Sequence, residues 1–554
     1  MIPDGGAGEQ RGAVIPPGGG ADQRGALTPP GGGADQRGAL TPPGGGAVLR
    51  GRSRAAPADP AQRPAPFDPG PIWMRVLPPA AMLVIGLWRI TGASYWRDEA
   101  ATMSATARPF AELVRMLGHV DAVHGTYYMI IWVLVRAGGP GELVTRLPSA
   151  LAMAGAVAAV AALGRRLISP RAGLASGLTL AVLPQVSLYA QDAREYAMIT
   201  ALAATGSYLL VRALTSALGS RRWLGGYAFC LGVMGLLNVF SLLLIGAHAI
   251  TVALAWRRAG AAGRGRDFRA LAAGWAVAVA GAVLLASPAL AFGFGQRHTL
   301  GWIPTPHLVA AVVGLRRLVG SSQMLLAAAV VVALGIMLPA VTDRARLRAG
   351  WPPELAGLCL PWLLLPPAVL IGVSFASPVY TFRYVIFCAP AVALLVGAAL
   401  AALSWSAGAA LTWLPAAAAF GVIAVLGVPA QLSFRMPDGH GNNIRGANAI
   451  VAAHRRPGDA VIYVGTGAGY MPAAYPGGFA KLDNIAQAQT PAQAGNLIGT
   501  QLPPAVIQQR LSRVHRVWLA RIGNYPHNVL HRLGFRLVRI RRVSNVWVLL
   551  YERR

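Results

Sequence analysis

From Ile72 onward the chain alternates long apolar runs with short polar loops rich in arginine. The runs cover 72–92, 147–163, 172–190, 196–214, two stretches within 223–256, then 271–290, 324–341, 355–375, 384–403 and 409–430. Segments near 20 residues carry a helix across the hydrocarbon of a bilayer, so the pattern predicts a polytopic α-helical membrane protein of about 11 transmembrane helices. The run 127–135 is too short to span and is closed by Arg136. It fits a helix lying along the membrane surface.

The basic residues then set an orientation. Arg165, Arg166 and Arg171, the pair Arg221 and Arg222, the cluster Arg257, Arg258, Arg264, Arg266 and Arg269, and the group Arg344, Arg346 and Arg348 all fall on one side if the amino terminus is inside. Short arginine-rich loops stay on the cytoplasmic side. The expectation is a multi-pass plasma-membrane protein with a cytoplasmic amino terminus and with everything after 431 outside. In 431–554 the pattern changes to a helical run at 446–453, a Gly458-Asp459 turn and strand-like runs at 460–464, 517–522 and 546–551. This reads as a small extracytoplasmic α/β domain. Gly465-Thr466-Gly467-Ala468-Gly469 lacks the following Lys-Ser/Thr of a phosphate loop and reads as a turn.

Residues 1–70 stand apart. Gln-Arg-Gly recurs at 10–12, 23–25 and 36–38 within a Gly/Pro/Ala tract. Such a tract cannot bury a core, which predicts a disordered cytoplasmic tail. The catalytic part is then expected within 71–430. Hydrophobic residues make up 55% of the chain and charged residues 12%. The net charge of +29 sits in loops between spans, so positive-inside topology accounts for it and nucleic acid is excluded as a partner. Cys230, Cys359 and Cys388 lie in apolar runs and predict no disulfide framework.

With only 20 acidic residues in the chain, the pair Asp98-Glu99 just after the first span is informative. A carboxylate at a membrane surface is partly dehydrated and persists where it binds a cation, orients a hydroxyl or takes a proton. On the same outer side fall His119, Asp121, His124, Tyr127 and Tyr128, then Tyr189, Asp192, Arg194 and Tyr196, then Asn238, His298, Tyr380, Arg383 and Tyr384. Guanidinium groups grip phosphate oxygens bidentately and a carboxylate can accept a proton from a hydroxyl. A lipid-phosphate substrate suits that set.

The order of Asp98-Glu99, Asp121-x-x-His124 leading into Tyr127-Tyr128, Arg146-Leu147-Pro148-Ser149-Ala150, Arg165-Arg166-Leu167 and Gln191-Asp192-Ala193-Arg194-Glu195-Tyr196-Ala197 resembles family-39-like GT-C glycosyltransferases, relatives of the protein mannosyltransferases and aminoarabinose transferases. Phe382-Arg383-Tyr384 and Pro457-Gly458-Asp459 are similar to bacterial members. The resemblance implies transfer of mannose or a similar sugar from a polyprenyl-phosphate donor to a protein, lipid or polysaccharide acceptor outside, in one inverting displacement. It implies Asp98 as general base or acceptor-orienting carboxylate and Glu99 as its catalytic neighbour shaping the site. Arg194 and Arg383 are implied as phosphate ligands, with Asp121, His124, Tyr127, Tyr189, Asp192, Tyr196 and Tyr384 lining the substrate pockets. Relatives often carry Pro-Pro or Thr-Pro after the histidine, whereas this chain has His124-Gly125-Thr126.

Each residue also has a plainer reading. The acids could cap the following helix, the arginines could snorkel and the tyrosines could form an aromatic belt. No metal site is assigned, although a divalent cation is left open as a cofactor because His119, Asp121 and His124 offer suitable donors that equally suit a solvated loop. His248, within an apolar run, is expected to bond backbone or Ser241. A non-catalytic scaffold or a transporter of a cell-envelope assembly system is the alternative function. A scaffold would not require the acidic pair or the arginines, and a transporter should show paired halves with broken helices and ionisable residues near mid-membrane, not gathered on one face.

Overall fold

A computed structural model describes residues 70–216, 220–263, 265–297, 301–307, 309–342, 352–404, 412–524 and 530–554. The Gln-Arg-Gly repeats and His298 lie outside the described residues. The helices are α1 Trp73–Leu87, α2 Arg97–Thr106, α3 Phe110–Leu117, α4 Gly125–Gly138, α5 Glu142–Leu167, α6 Pro170–Val182, α7 Pro184–Ala190, α8 Tyr196–Thr215, α9 Ser220–Leu237, α10 Leu243–Ala261, α11 Gly265–Gly295, α12 Ala310–Val319, α13 Ser322–Thr342, α14 Pro353–Ser374, α15 Ala389–Leu403 and α16 Leu414–Phe434. Among the described residues seven helices are long and apolar enough to cross a membrane, or nine when each bent helix pair is one span. At 15 residues α1 is shorter than these. The short run after His124 forms α4, which buries Tyr127, Tyr128, Ile131 and Val135.

Small residues set how closely the spans approach. A Cβ on Gly397 of α15 would come within 2.2 Å of the Ser176 hydroxyl of α6, so only glycine permits that crossing. The 68° bend between α6 and α7 follows from Pro184. The residue before a proline is driven out of helical geometry, and Leu183 has ψ 123°. The bend directs the loop 191–195 back over the end of α1, where Gln191 Nε2 donates to the Gly86 and Trp88 carbonyls. Arg435, after α16, closes the same helix end by donating to the carbonyls of Ile85 and Trp88. Orphan carbonyls at a helix terminus need such donors.

His248 corrects one expectation. Its ring lies 3.0 Å from both the Ser207 hydroxyl and the Tyr227 hydroxyl, while Ser241 donates to the Met234 and Asn238 carbonyls. The partner is supplied across the helix interface instead of along the chain. Asn238 caps the next 3-10 turn through Phe240 N–H and is buried.

Beyond α16 come α17 Ile444–His454, β1 Ala460–Val464, α18 Met471–Ala474, β2 Asp483–Asn484, β3 Gln487–Gln489, β4 Thr500–Gln501, α19 Pro504–Leu511, β5 Arg516–Ile522, β6 Phe535–Val543 and β7 Val546–Arg553. The main sheet runs β2-β1-β5-β7-β6. β1 lies parallel to β5 with Ala460 opposite Val517, and β5, β7 and β6 are antiparallel. Asp459, in the turn before β1, receives Trp518 Nε1 and the Arg516 guanidinium, so the Pro-Gly-Asp turn anchors the sheet. This part contacts the helical part directly. Arg97 N–H donates to Asn442, Ser104 to the Leu497 carbonyl, and Arg445 and the Tyr475 hydroxyl both reach Glu142.

Candidate active site

α2 starts after Trp96, and Glu99 three residues later accepts the Trp96 N–H, so the capping role read from the sequence falls to Glu99. Its fully buried carboxylate is also gripped by the Arg146 fork, both contacts at 2.7 Å, and by Ala193 N–H at 2.8 Å. Burial alone would raise the Glu99 carboxyl, but the charge and hydrogen bonds of Arg146 bring it down to about 2. The other Arg146 N–H groups go to the carbonyls of Ile90, Ala93 and Ser94. Four stretches of chain meet at this one ion pair.

Asp98 points elsewhere. Its side chain is 13% exposed, with Oδ1 3.2 Å from Arg97 Nε and Oδ2 3.1 Å from Arg383 Nη1. Arg383 stands in the 3-10 turn that leads into α15, and its guanidinium lies over the rings of Trp96 and Trp302 at 5.7 and 5.0 Å. Among the described residues Arg383 Nε has no hydrogen-bond partner. Arg194 approaches from the loop after α7. It reaches the Asp98 carbonyl, the Tyr128 hydroxyl and both ring nitrogens of His124, with Nε 3.2 Å from Glu195 Oε2. Glu195 Oε1 lies 3.1 Å from His124 Nδ1. Burial would raise the Glu195 carboxyl, but the charges of Arg194 and then His124 hold it at about 2. A largely buried carboxylate that keeps an exposed edge among three guanidiniums can take a proton while its neighbours hold an anion.

The remaining candidates surround this point. Asp121, at φ 57°, accepts the Tyr128 hydroxyl at 3.0 Å. Tyr127 is buried, and its hydroxyl has no partner among the described residues. Tyr189 and Tyr196 meet edge to face at 5.1 Å, and Tyr384 stacks on Phe240 at 5.1 Å. All three are buried in the protein, unlike belt tyrosines. His119 bonds the Arg115 carbonyl, so the structure does not gather His119, Asp121 and His124 into one donor set. Instead, Glu99, Asp192 and His440 place ligand atoms within 4.8 Å of one another. Asp192 Oδ1 accepts Trp96 Nε1 at 2.9 Å. Burial, then the charge of Glu99, pushes the Asp192 carboxyl well above its usual range, and burial holds His440 below its own.

Sequence reasoning gave no role to Arg146, Trp96, Trp302 or His440. Arg146 carried a signal, an arginine at the leading edge of the apolar run 147–163. His440 carried a weaker one, a histidine between two glycines. Trp302 offered none.

Residues 126–264, about a quarter of the chain, match the model of the family described as dolichyl-phosphate-mannose-protein mannosyltransferase. Among solved structures, ArnT from Cupriavidus metallidurans in the apo state is similar with TM-score 0.52 at 13% identity, over 86% of this chain and 97% of that one. The same protein bound to undecaprenyl phosphate is similar with TM-score 0.54 at 14% identity, with equal coverage. No curated protein matches the sequence.

Proposed function

We propose that the chain, whose fold is similar to that of ArnT, is a GT-C-type glycosyltransferase that transfers a hexose or pentose, mannose or similar, from a polyprenyl-phosphate donor to a hydroxyl of an extracytoplasmic acceptor. The observation that carries this reading is the meeting of Asp98 with Arg383 at 3.1 Å, beside Arg194 on the Asp98 carbonyl. The acceptor oxygen attacks the anomeric carbon, the bond from that carbon to phosphate oxygen breaks, and polyprenyl phosphate leaves with the electron pair. The anomeric centre inverts. Asp98 takes the hydroxyl proton, and Arg383 and Arg194 meet the charge that grows on the phosphate. A phosphate group draws the Arg383 guanidinium away from Asp98, freeing the carboxylate as the donor seats. His124, Asp121 and the tyrosines line the donor and acceptor pockets. Glu99 acts through Arg146 and the start of α2, as a positioning residue.

In this reading residues 71–430 form the catalytic membrane part, 431–554 an α/β part on the extracytoplasmic side, and the amino terminus is cytoplasmic. The test is transfer by the purified protein in detergent from radiolabelled polyprenyl-phosphate sugars into a membrane extract, wild type against Asp98→Asn. Label moved only by the wild type supports the reading and identifies the sugar. No transfer from any donor, with the variant folded and still complementing a deletion strain, would overturn it.

A further inference from the structure

Glu99, Asp192 and His440 come from three separate stretches of chain, namely the first turn of α2, the loop after α7 and the segment between α16 and α17. His440 is the member that the rest of the site leaves unexplained. Its side chain is 2% exposed, with Nδ1 3.6 Å from Glu99 Oε2, and neither ring nitrogen has a hydrogen-bond partner among the described residues. Buried polar groups are almost always bonded or coordinated, and leaving one unmet costs about 1–3 kcal/mol. The backbone is also shaped to put the ring there. A Cβ on Gly439 would lie 2.3 Å from the Phe434 carbonyl, and Gly441 has φ +93°.

The charges point the same way. Arg146 answers Glu99, whereas Asp192 has a single side-chain donor, Trp96 Nε1, and no ion pair among the described residues. A buried carboxylate without an ion pair beside a buried imidazole that has a carboxylate 3.6 Å away but no hydrogen bond among the described residues is a donor set for a divalent cation that favours nitrogen and oxygen. We propose that Asp192 and His440, with Glu99 Oε2 as the third ligand, hold one such ion, Zn2+ being the chemical type that fits. Glu99 is already committed to Arg146, so Asp192 and His440 are the stronger ligands, and a fourth tetrahedral position is left to water. The ion clips the segment before α17 onto the two loops of the membrane part. Through the Trp96 to Asp192 bond it fixes the residue two before Asp98, so it positions the site without touching the reacting atoms.

The experiment measures metal content of the full chain, purified in detergent without chelator and freed of any histidine tag, before and after incubation with Zn2+ or Mn2+. The wild type is expected to hold about one equivalent, and His440→Ala and Asp192→Asn to hold roughly tenfold less. Chelator is expected to lower the wild-type unfolding temperature and leave that of His440→Ala unchanged. A wild type that stays essentially metal-free after incubation overturns the proposal, as does undiminished metal in both variants. Should the variants not fold, X-ray absorption on the metal-loaded wild type decides. One imidazole with oxygen ligands supports the clip, and sulfur or several imidazoles overturn it.

Discussion

Arg383 Nη1 lies 3.1 Å from Asp98 Oδ2 although the two residues are separated by most of the membrane part of the chain. The contact joins the helix after the first span to the turn before α15, and it puts the proposed base and the proposed anion grip in one place. Asp98→Asn keeps the shape and removes the proposed base. Transfer is expected to fall by about 10²–10⁴-fold with donor binding largely kept, read as label moved per minute and as donor affinity measured separately. A variant within twofold of wild type would remove Asp98 from the reaction.

Arg383 and Arg194 should differ from lysine substitutes. A guanidinium presents a planar fork to phosphate oxygens, whereas an ammonium is a point charge. Arg383→Lys is expected to raise the donor KM and lower kcat together, for a combined loss of roughly 10²-fold, with the fold intact by size exclusion. Arg194→Lys is expected to cost stability as well, because Arg194 also holds Glu195 and His124. Equal stability of the two lysine variants would contradict this division.

Part of this was legible in the sequence because membrane chemistry leaves strong marks. Apolar runs of spanning length located the helices, and the scarcity of acids singled out Asp98 and Glu99. In the α/β part β1 was read at 460–464, where it is observed. β6 was not read, since Arg536, Arg539, Arg541 and Arg542 interrupt any apolar alternation. It is an edge strand, where charged side chains are tolerated and useful. The division between the two acids was not readable either. Asp98 and Glu99 are adjacent, and only the turn of α2 sends one toward Arg383 and the other into the grip of Arg146. His440 lies 248 residues from Asp192, and no local pattern links residues that far apart.

The Glu99–Arg146 pair should be a matter of stability before it is one of rate. Both side chains are fully buried, and removing one partner strands the other charge. Glu99→Gln is expected to cost about 3–5 kcal/mol, and the apolar double replacement Glu99→Leu with Arg146→Met to recover part of that loss. Thermal unfolding in detergent reads both. A double variant less stable than either single one would show that the pair is worth more than its desolvation.

Glu195 predicts the acid limb of stability. Its folded carboxyl is held at about 2 against an ordinary value of 4.5, with burial opposing and Arg194 and His124 overcoming it. A depressed carboxyl binds protons more weakly in the folded state, so stability rises with pH wherever the unfolded chain is the better proton acceptor. The Glu195 contribution is therefore fully present above about pH 4.5, and it is lost as pH falls from there toward 2. Glu195→Gln removes this dependence. The variant is expected to be less stable at pH 7, because Arg194 then lacks its nearest buried anion, and to lose less stability than wild type between pH 5 and pH 3. Unfolding temperatures of both proteins across that range test the point. Parallel curves would mean that Glu195 is not ionised against Arg194, and that the cationic wall of the site is balanced by some other group.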